Sequence, residues 1–307
     1  MTLNKFLLLA AITLILLVAC AENAPLPTPE SDPTVSVEAA PPPIVIAPDP
    51  TATSEPTPTI TAEPLPVAQE SEDPATGETE MPPASESQEI NVVRAVEDIS
   101  IEGADGLIQQ STLYTPDGIA PLPGVILLHM LGSDRQVWEE NGFAVTLAEN
   151  GYAVLTVDMR GHGATGGSIN WELVPEDLQR VWQHFTTLEA VDSQRSAVIG
   201  ASIGANLALI SGAGEAAIKT AVLLSPGLDY RGVSTEEPIA AYGERPLFIV
   251  ASEEDVYAAE SSRTLADLAQ GETQLQMYNG AGHGTRMFDA QPDLSTLILD
   301  WLAQNLN

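Results

Sequence analysis

Cysteine is almost missing from this 307-residue chain: Cys20 stands alone, so no intrachain disulfide framework can brace a fold. Basic residues are scarce too. Eleven Lys and Arg face 43 Asp and Glu, for a formal net charge of −32. That sign disfavours nucleic acid and anionic membrane surfaces as partners, and it says little about a small substrate. No Lys or Arg occurs between Lys5 and Arg94, and no aromatic residue between Ala21 and Asn91. The longest apolar run, Phe6 to Ala19, falls short of the ~20 residues that a membrane-spanning helix needs. No histidine stands at ligand spacing from carboxylates or thiols, so no metal is expected. Glycine-rich Gly161 to Gly167 lacks the Lys-Ser/Thr ending of a phosphate-binding loop, and no other cofactor motif is present.

What the amino end does have is one positive residue, Lys5, followed by the apolar run, which suits a secretory signal. The run ends in Leu17-Val18-Ala19-Cys20, small residues just before the single cysteine. This resembles the bacterial lipobox, which implies cleavage after Ala19 and lipidation of Cys20. A lipidated terminus carrying several acyl chains would hold the protein at a membrane of the cell envelope. Residues 1–19 are therefore expected to be a signal peptide. Residues 20–91 are rich in Pro, Thr, Ser, Glu and Ala, with runs such as Pro41-Pro42-Pro43. Such a segment cannot bury enough apolar surface to offset its ordering entropy, and proline with like charge favours extension. It is expected to be a disordered tether.

Residues 92–307 hold all four Trp and all six Tyr and are long enough for one domain with a sizeable core. Val92 to Ile101 and Leu107 to Tyr114 are β-prone around the turn signal Gly103-Ala104-Asp105-Gly106, which predicts a hairpin. Val125–Leu128 and Tyr152–Val157 read as strands buried on both faces, and further strands follow at Ala197–Ile199, Thr220–Leu224, Pro246–Ala251 and Thr273–Met277. Helical spacing separates them at Val137–Asn150, Glu176–Leu188, Ala205–Ala213, Ala258–Ala269 and Leu294–Leu306. Strands alternating with helices predict an α/β layered sheet with parallel connections. The segment between Leu224 and Leu247 reads as irregular and is too short for a large lid.

One stretch organises the rest: Ser196 to Asn206, S-A-V-I-G-A-S-I-G-A-N. A strand that feeds a helix through Gly200-Ala201-Ser202-Ile203-Gly204 forces Ser202 into a strained conformation. Glycines are needed on either side because the two backbones pass too close for a Cβ. The turn holds the serine hydroxyl out at the carboxyl end of the strand, with N–H groups at the helix start nearby. A serine nucleophile needs a base within reach and a carboxylate that orients the base. Of the four histidines, His184 lies on a predicted helix, and His129 and His162 lie in loops before Ser202. His283, in Gly280-Ala281-Gly282-His283-Gly284, follows the last strand and opens at the same sheet end as Ser202. It is the expected general base. The strand ending at Val250 leads into Ser252-Glu253-Glu254-Asp255, which supplies three candidate carboxylates.

The order serine, acid, histidine is that of α/β-hydrolases. From about Pro123 to Asn307 the chain resembles a serine α/β-hydrolase, near the dienelactone-hydrolase-like and small esterase branches. Leu128-His129-Met130-Leu131-Gly132, Asp158-Met159-Arg160-Gly161-His162-Gly163, the turn at Ser202, Asp255 and His283 carry the resemblance. It implies a mostly parallel central sheet with helices on both faces, an antiparallel start and no large lid domain. It implies Asp255 as the acid, with Glu253 and Glu254 as rivals. Two backbone donors would form the oxyanion hole: Ile203 N–H, and Leu131 N–H with Met130 as the alternative, because Met130 stands where the family shows Gly. His129 would hold that loop, and Arg160 and His162 would brace the site. Dienelactone hydrolases proper usually carry a cysteine nucleophile. Serine here points to ordinary carboxylic esters, with small or polymer-borne acyl groups, cleaved through an acyl-enzyme. A peptidase or thioesterase on the same triad, or a non-catalytic binding domain on this fold, are the other readings.

Overall fold

The computed structural model describes residues 93–116 and 120–306. The expected signal peptide, Cys20 and the tether lie outside the described residues. Val93–Glu102 (β1) and Ile108–Pro116 (β2) pair antiparallel around a single 3-10 turn at Ala104–Gly106, the hairpin that the turn signal predicts. Leu122–Leu128 (β3) follows. The expected helix from Val137 to Asn150 is instead two, Val137–Glu140 (α1) and Phe143–Glu149 (α2). The break has a local cause. Gly142 takes φ 75°, and Asn141 Oδ1 accepts the Phe143 N–H at 3.0 Å, which starts a second helix.

Ala153–Val157 (β4), Val174–Phe185 (α3), Val191–Ala201 (β5), Ile203–Gly214 (α4) and Ile218–Leu224 (β6) continue the alternation. Pro175 sits in the first turn of α3, where its missing N–H leaves no bond unmade. The segment expected to be irregular contains a small hairpin, Asp229–Tyr230 (β7) with Val233–Ser234 (β8), and a helix, Glu236–Tyr242 (α5). Leu247–Ser252 (β9), Val256–Leu268 (α6), Thr273–Tyr278 (β10), Met287–Ala290 (α7) and Leu294–Asn305 (α8) complete the chain.

The main sheet has the order β1-β2-β4-β3-β5-β6-β9-β10. The pairs β1–β2 and β2–β4 are antiparallel, and every pair from β4 to β10 is parallel. Strand residues alternate between two cores, as period-2 geometry demands. Ile126, Leu128, Val198, Leu223 and Ile249 pack with α3, α4, α5 and α6. Val125, Leu127, Ile199, Val222 and Val250 pack with α1, α2, α7 and α8 on the other face. Each fully buried aliphatic side chain contributes roughly 1.5–3 kcal/mol, which is why the central strands are apolar on both faces. Among the described residues, no helix is long and apolar enough to cross a membrane.

The parallel strands end level. Leu128 is in register with Val157 and Gly200, Ala201 with Leu224, and Ser252 with Tyr278. Their loops therefore open on one rim. The chain moves from β3 outward to β4 and then crosses back to β5, so the loops after β3 and β5 diverge at a switch point, where a crevice forms.

Candidate active site

Ser202 sits in that crevice with φ 56° and ψ −122°, a conformation few non-glycine residues hold. Its N–H donates to the Leu224 carbonyl at 2.8 Å, and α4 begins at the next residue. Close approach explains the flanking glycines. A Cβ at Gly200 would stand 2.0 Å from the Gly204 carbonyl oxygen, and one at Gly204 would stand 2.5 Å from the carbonyl oxygens of Leu128 and His129. The side chain of Ser202 is nearly buried.

The loop after β9 distributes its three carboxylates to three different partners. Asp255 receives a hydrogen bond from His283 Nδ1. Glu253 reaches Arg263 at 2.6 Å on the exposed face. Glu254 Oε1 accepts the Gly280 N–H, and its Oε2 accepts the Ser252 hydroxyl at 2.6 Å. The Ser252 bond and the backbone N–H groups hold the Glu254 carboxyl below the usual carboxylate range. Of the three candidates, Asp255 alone meets the imidazole. With Nδ1–H given to Asp255, Nε2 carries the lone pair that a base needs.

The histidine loop is docked against the serine turn. Gly284 N–H donates to Ser225 Oγ at 2.9 Å, just past the end of β6. A Cβ at Gly284 would lie 3.4 Å from Ala201 Cβ and 3.1 Å from Met130 Sδ. The residue after His283 thus touches both the residue before Ser202 and the loop after β3.

Tyr230, on β7, was not anticipated. Its hydroxyl donates to the Ser225 carbonyl at 3.2 Å, and its ring stands edge-on to His283, 6.4 Å between centroids at 89°. Burial raises the phenol pKa, the nearby Asp255 and Tyr257 raise it further, and a hydrogen bond with Ser202 acts the other way. The hydroxyl of Ser202 therefore has a phenol as its neighbour, and His283 has an aromatic wall. A two-residue strand leaves no period in a sequence. The only hint was a tyrosine in a Pro-Gly-rich segment, Ser225 to Gly232.

His129 bridges two loops. Its Nδ1 faces the Met130 carbonyl at 2.8 Å, and its Nε2 accepts the Met159 N–H at 3.1 Å. Burial drives its pKa down to about 4, against a smaller opposing effect of the Met130 carbonyl, so the ring is neutral. Asp158 ties the loop after β3 to the loop after β4: it accepts the N–H groups of Arg135 and Ala164 at 2.7 Å and pairs with the Arg135 guanidinium. Arg160 binds Asp177 at 2.7 and 2.8 Å and anchors the first hairpin through the Ala104 carbonyl. His162 packs on His129, 4.9 Å between centroids. His184 lies half-buried on α3. Among the described residues, the N–H groups of Met130, Leu131 and Ile203 donate to no backbone or side-chain acceptor, so this does not separate Leu131 from Met130.

A cavity of about 330 Å³ lies beside the crevice, between Met130 and Val137 on one side and Thr285 and Arg286 on the other. A groove of about 390 Å³ lined by Leu178, Trp182, Ile210 and Ile218 contains none of the residues expected in the site.

A family model described as serine aminopeptidase, S33, matches residues 121–241, a span that includes Ser202 and stops short of Asp255 and His283. An esterase of Pyrococcus furiosus is 19% identical with a TM-score of 0.60; the match covers 69% of this chain and 92% of the esterase. Est1E from Butyrivibrio proteoclasticus, solved with ferulic acid bound, is 19% identical with a TM-score of 0.59, over 67% of this chain and 98% of that one. A dienelactone hydrolase from Anabaena variabilis is 16% identical with a TM-score of 0.55, over 69% of this chain and 99% of its own. Comparison with curated proteins finds no match. The fold is that of the α/β-hydrolases.

Proposed function

We propose that this α/β-hydrolase-fold chain is a serine esterase that cleaves carboxylic esters through an acyl-enzyme. The observation that carries the reading is the bond between His283 Nδ1 and Asp255, on the same rim as the strained Ser202. In the reaction the Ser202 hydroxyl attacks the ester carbonyl, and its proton passes to His283 Nε2. Asp255 holds the ring and stabilises the imidazolium. Ile203 N–H at the start of α4, with Leu131 N–H from the loop after β3, receives the developing negative charge. His283 then gives the proton to the departing alcohol. A water, deprotonated by the same ring, releases the acid and restores Ser202.

Ser202→Ala tests this. Turnover of a short p-nitrophenyl ester should vanish, and so should labelling by a fluorophosphonate probe; retained turnover would refute the assignment. The family model favours a second reading, a peptidase on the same residues. Ester and anilide substrates sharing one acyl group separate the two: faster anilide turnover selects the peptidase. The substrate class in the leading reading is a small or polymer-attached ester, because the catalytic crevice is open at a rim without a large lid. The lipobox-like end supports anchoring at a membrane of the cell envelope through Cys20, with residues 20–91 as the proposed tether. Incorporation of labelled fatty acid by the natural chain, lost in Cys20→Ala, is the expected result.

A further inference from the structure

We propose that Glu254 is a positioning residue for His283, acting through the backbone of the loop that carries it. The inference rests on the reading of His283 as general base. That loop runs from the end of β10 to the 3-10 turn Gly284–Arg286, and its backbone is outside any strand or helix. Its N–H groups must find partners elsewhere. Of the four that precede the histidine, those of Gly280 and Ala281 are taken by the end of β9 and the loop after it. Gly280 N–H donates to Glu254 Oε1, and Ala281 N–H donates to Ser252 Oγ at 3.0 Å. The Ser252 hydroxyl in turn donates to Glu254 Oε2 at 2.6 Å, so the carboxylate receives both strands of the grip. The next residue, Asp255, takes the imidazole itself.

The grip matters because the chain it holds is unusually free. Gly280 and Gly282 take φ of +68° and +78°, and neither has a side chain to lodge in the core. Ala281 between them is buried, and Gly284 is held by Ser225. Glu254 thus closes the near side of a clasp whose far side is Ser225. Glu254 itself is exposed, so water can satisfy the freed groups when it is removed, and the fold should survive. What is lost is the fixed position of the ring. A misplacement of ~1 Å in a reacting group can cost on the order of 100-fold in rate.

The experiment compares Glu254→Ala, Glu254→Gln and Glu253→Ala in the full chain. Glu254→Ala should lower kcat on a p-nitrophenyl ester roughly ten- to a hundredfold, with KM and the thermal midpoint unchanged. Glu254→Gln should recover part of the loss, since its carbonyl oxygen still accepts one of the two bonds. Glu253→Ala should behave as the natural protein, because its partner is Arg263. A second readout needs no substrate: the downfield proton resonance of His283 Nδ1–H, identified by its loss in His283→Ala, should broaden in Glu254→Ala. A wild-type kcat and a sharp resonance in Glu254→Ala would overturn the proposal, as would an equal loss in Glu253→Ala. If the natural protein turns over no ester, the esterase reading fails, while the resonance still decides whether Glu254 holds the ring.

Discussion

Gly200→Ala puts the serine turn to its hardest test. The added methyl would stand 2.0 Å from the Gly204 carbonyl oxygen, 2.3 Å from its carbon and 2.7 Å from the Ala205 nitrogen. All three are backbone atoms, so no rotamer change relieves the contact. Ordinary contact begins near 3.4 Å, so β5 and the first turn of α4 must part by about 1.4 Å, the difference between 3.4 and 2.0. Overpacking of this kind costs about 1–3 kcal/mol. For a domain of this size that is a fall of roughly 2–12 °C in the thermal midpoint. The rate should suffer more, by about 100-fold or greater, because the displaced atoms carry the hydroxyl and the Ile203 N–H. Gly214→Ala is the control on the same helix. A Cβ there meets nothing within 4 Å, and the change should be neutral or stabilising by up to ~1 kcal/mol. Differential scanning calorimetry and ester turnover on the two variants give the answer. If Gly200→Ala keeps both its midpoint and its rate, the close approach of strand and helix is not what places Ser202.

Three further outcomes are expected. Asp255→Asn should preserve the fold and lower kcat by on the order of 10³–10⁴, as expected when the acid of a serine triad no longer fixes the tautomer of its histidine; the check is kcat at constant KM. His129 has a folded pKa of about 4 and an ordinary value of 6.5. Between these the unfolded chain takes up a proton that the folded chain refuses, so stability is full above pH 6.5 and falls by roughly 3 kcal/mol as pH drops to 4. Urea unfolding of His129→Gln should show a shallower pH slope across that window, and an unchanged slope would contradict the buried neutral ring. Tyr230→Phe removes the phenol hydroxyl that the Ser225 carbonyl accepts at 3.2 Å, next to the serine site, and fluorophosphonate labelling should quicken if that hydroxyl restrains Ser202. Slower labelling would mean that the phenol assists the serine.

The strong periodicities of the chain were legible, and the weak ones were not. Five apolar runs gave the five central strands because a strand buried on both faces needs a run of Val, Ile and Leu; the sixth, β10, is a half-buried edge strand that carries Gln274 and Gln276. The serine turn was legible because its glycines answer a steric demand visible in the residues themselves. The helix break at Gly142 was missed because the apolar spacing of Trp138, Phe143 and Leu147 continues across it. Tyr230 was missed because β7 and β8 are two residues each. The choice among Glu253, Glu254 and Asp255 rested on family habit. What separates them in space is the turn from Ser252 to Asp255, closed by the Asp255 N–H on the Ser252 carbonyl at 3.1 Å, which sends successive side chains toward Arg263, Gly280 and His283.

The amide of Ser202 is bonded to the Leu224 carbonyl at the end of the sheet, and the glycines two residues away on either side lie close against backbone. Its main chain has nowhere to travel. Rotation about the Cα–Cβ bond is the freedom left to this residue, so under the esterase proposal a substrate must be delivered to a stationary anvil, and every adjustment of distance falls to the loops around it.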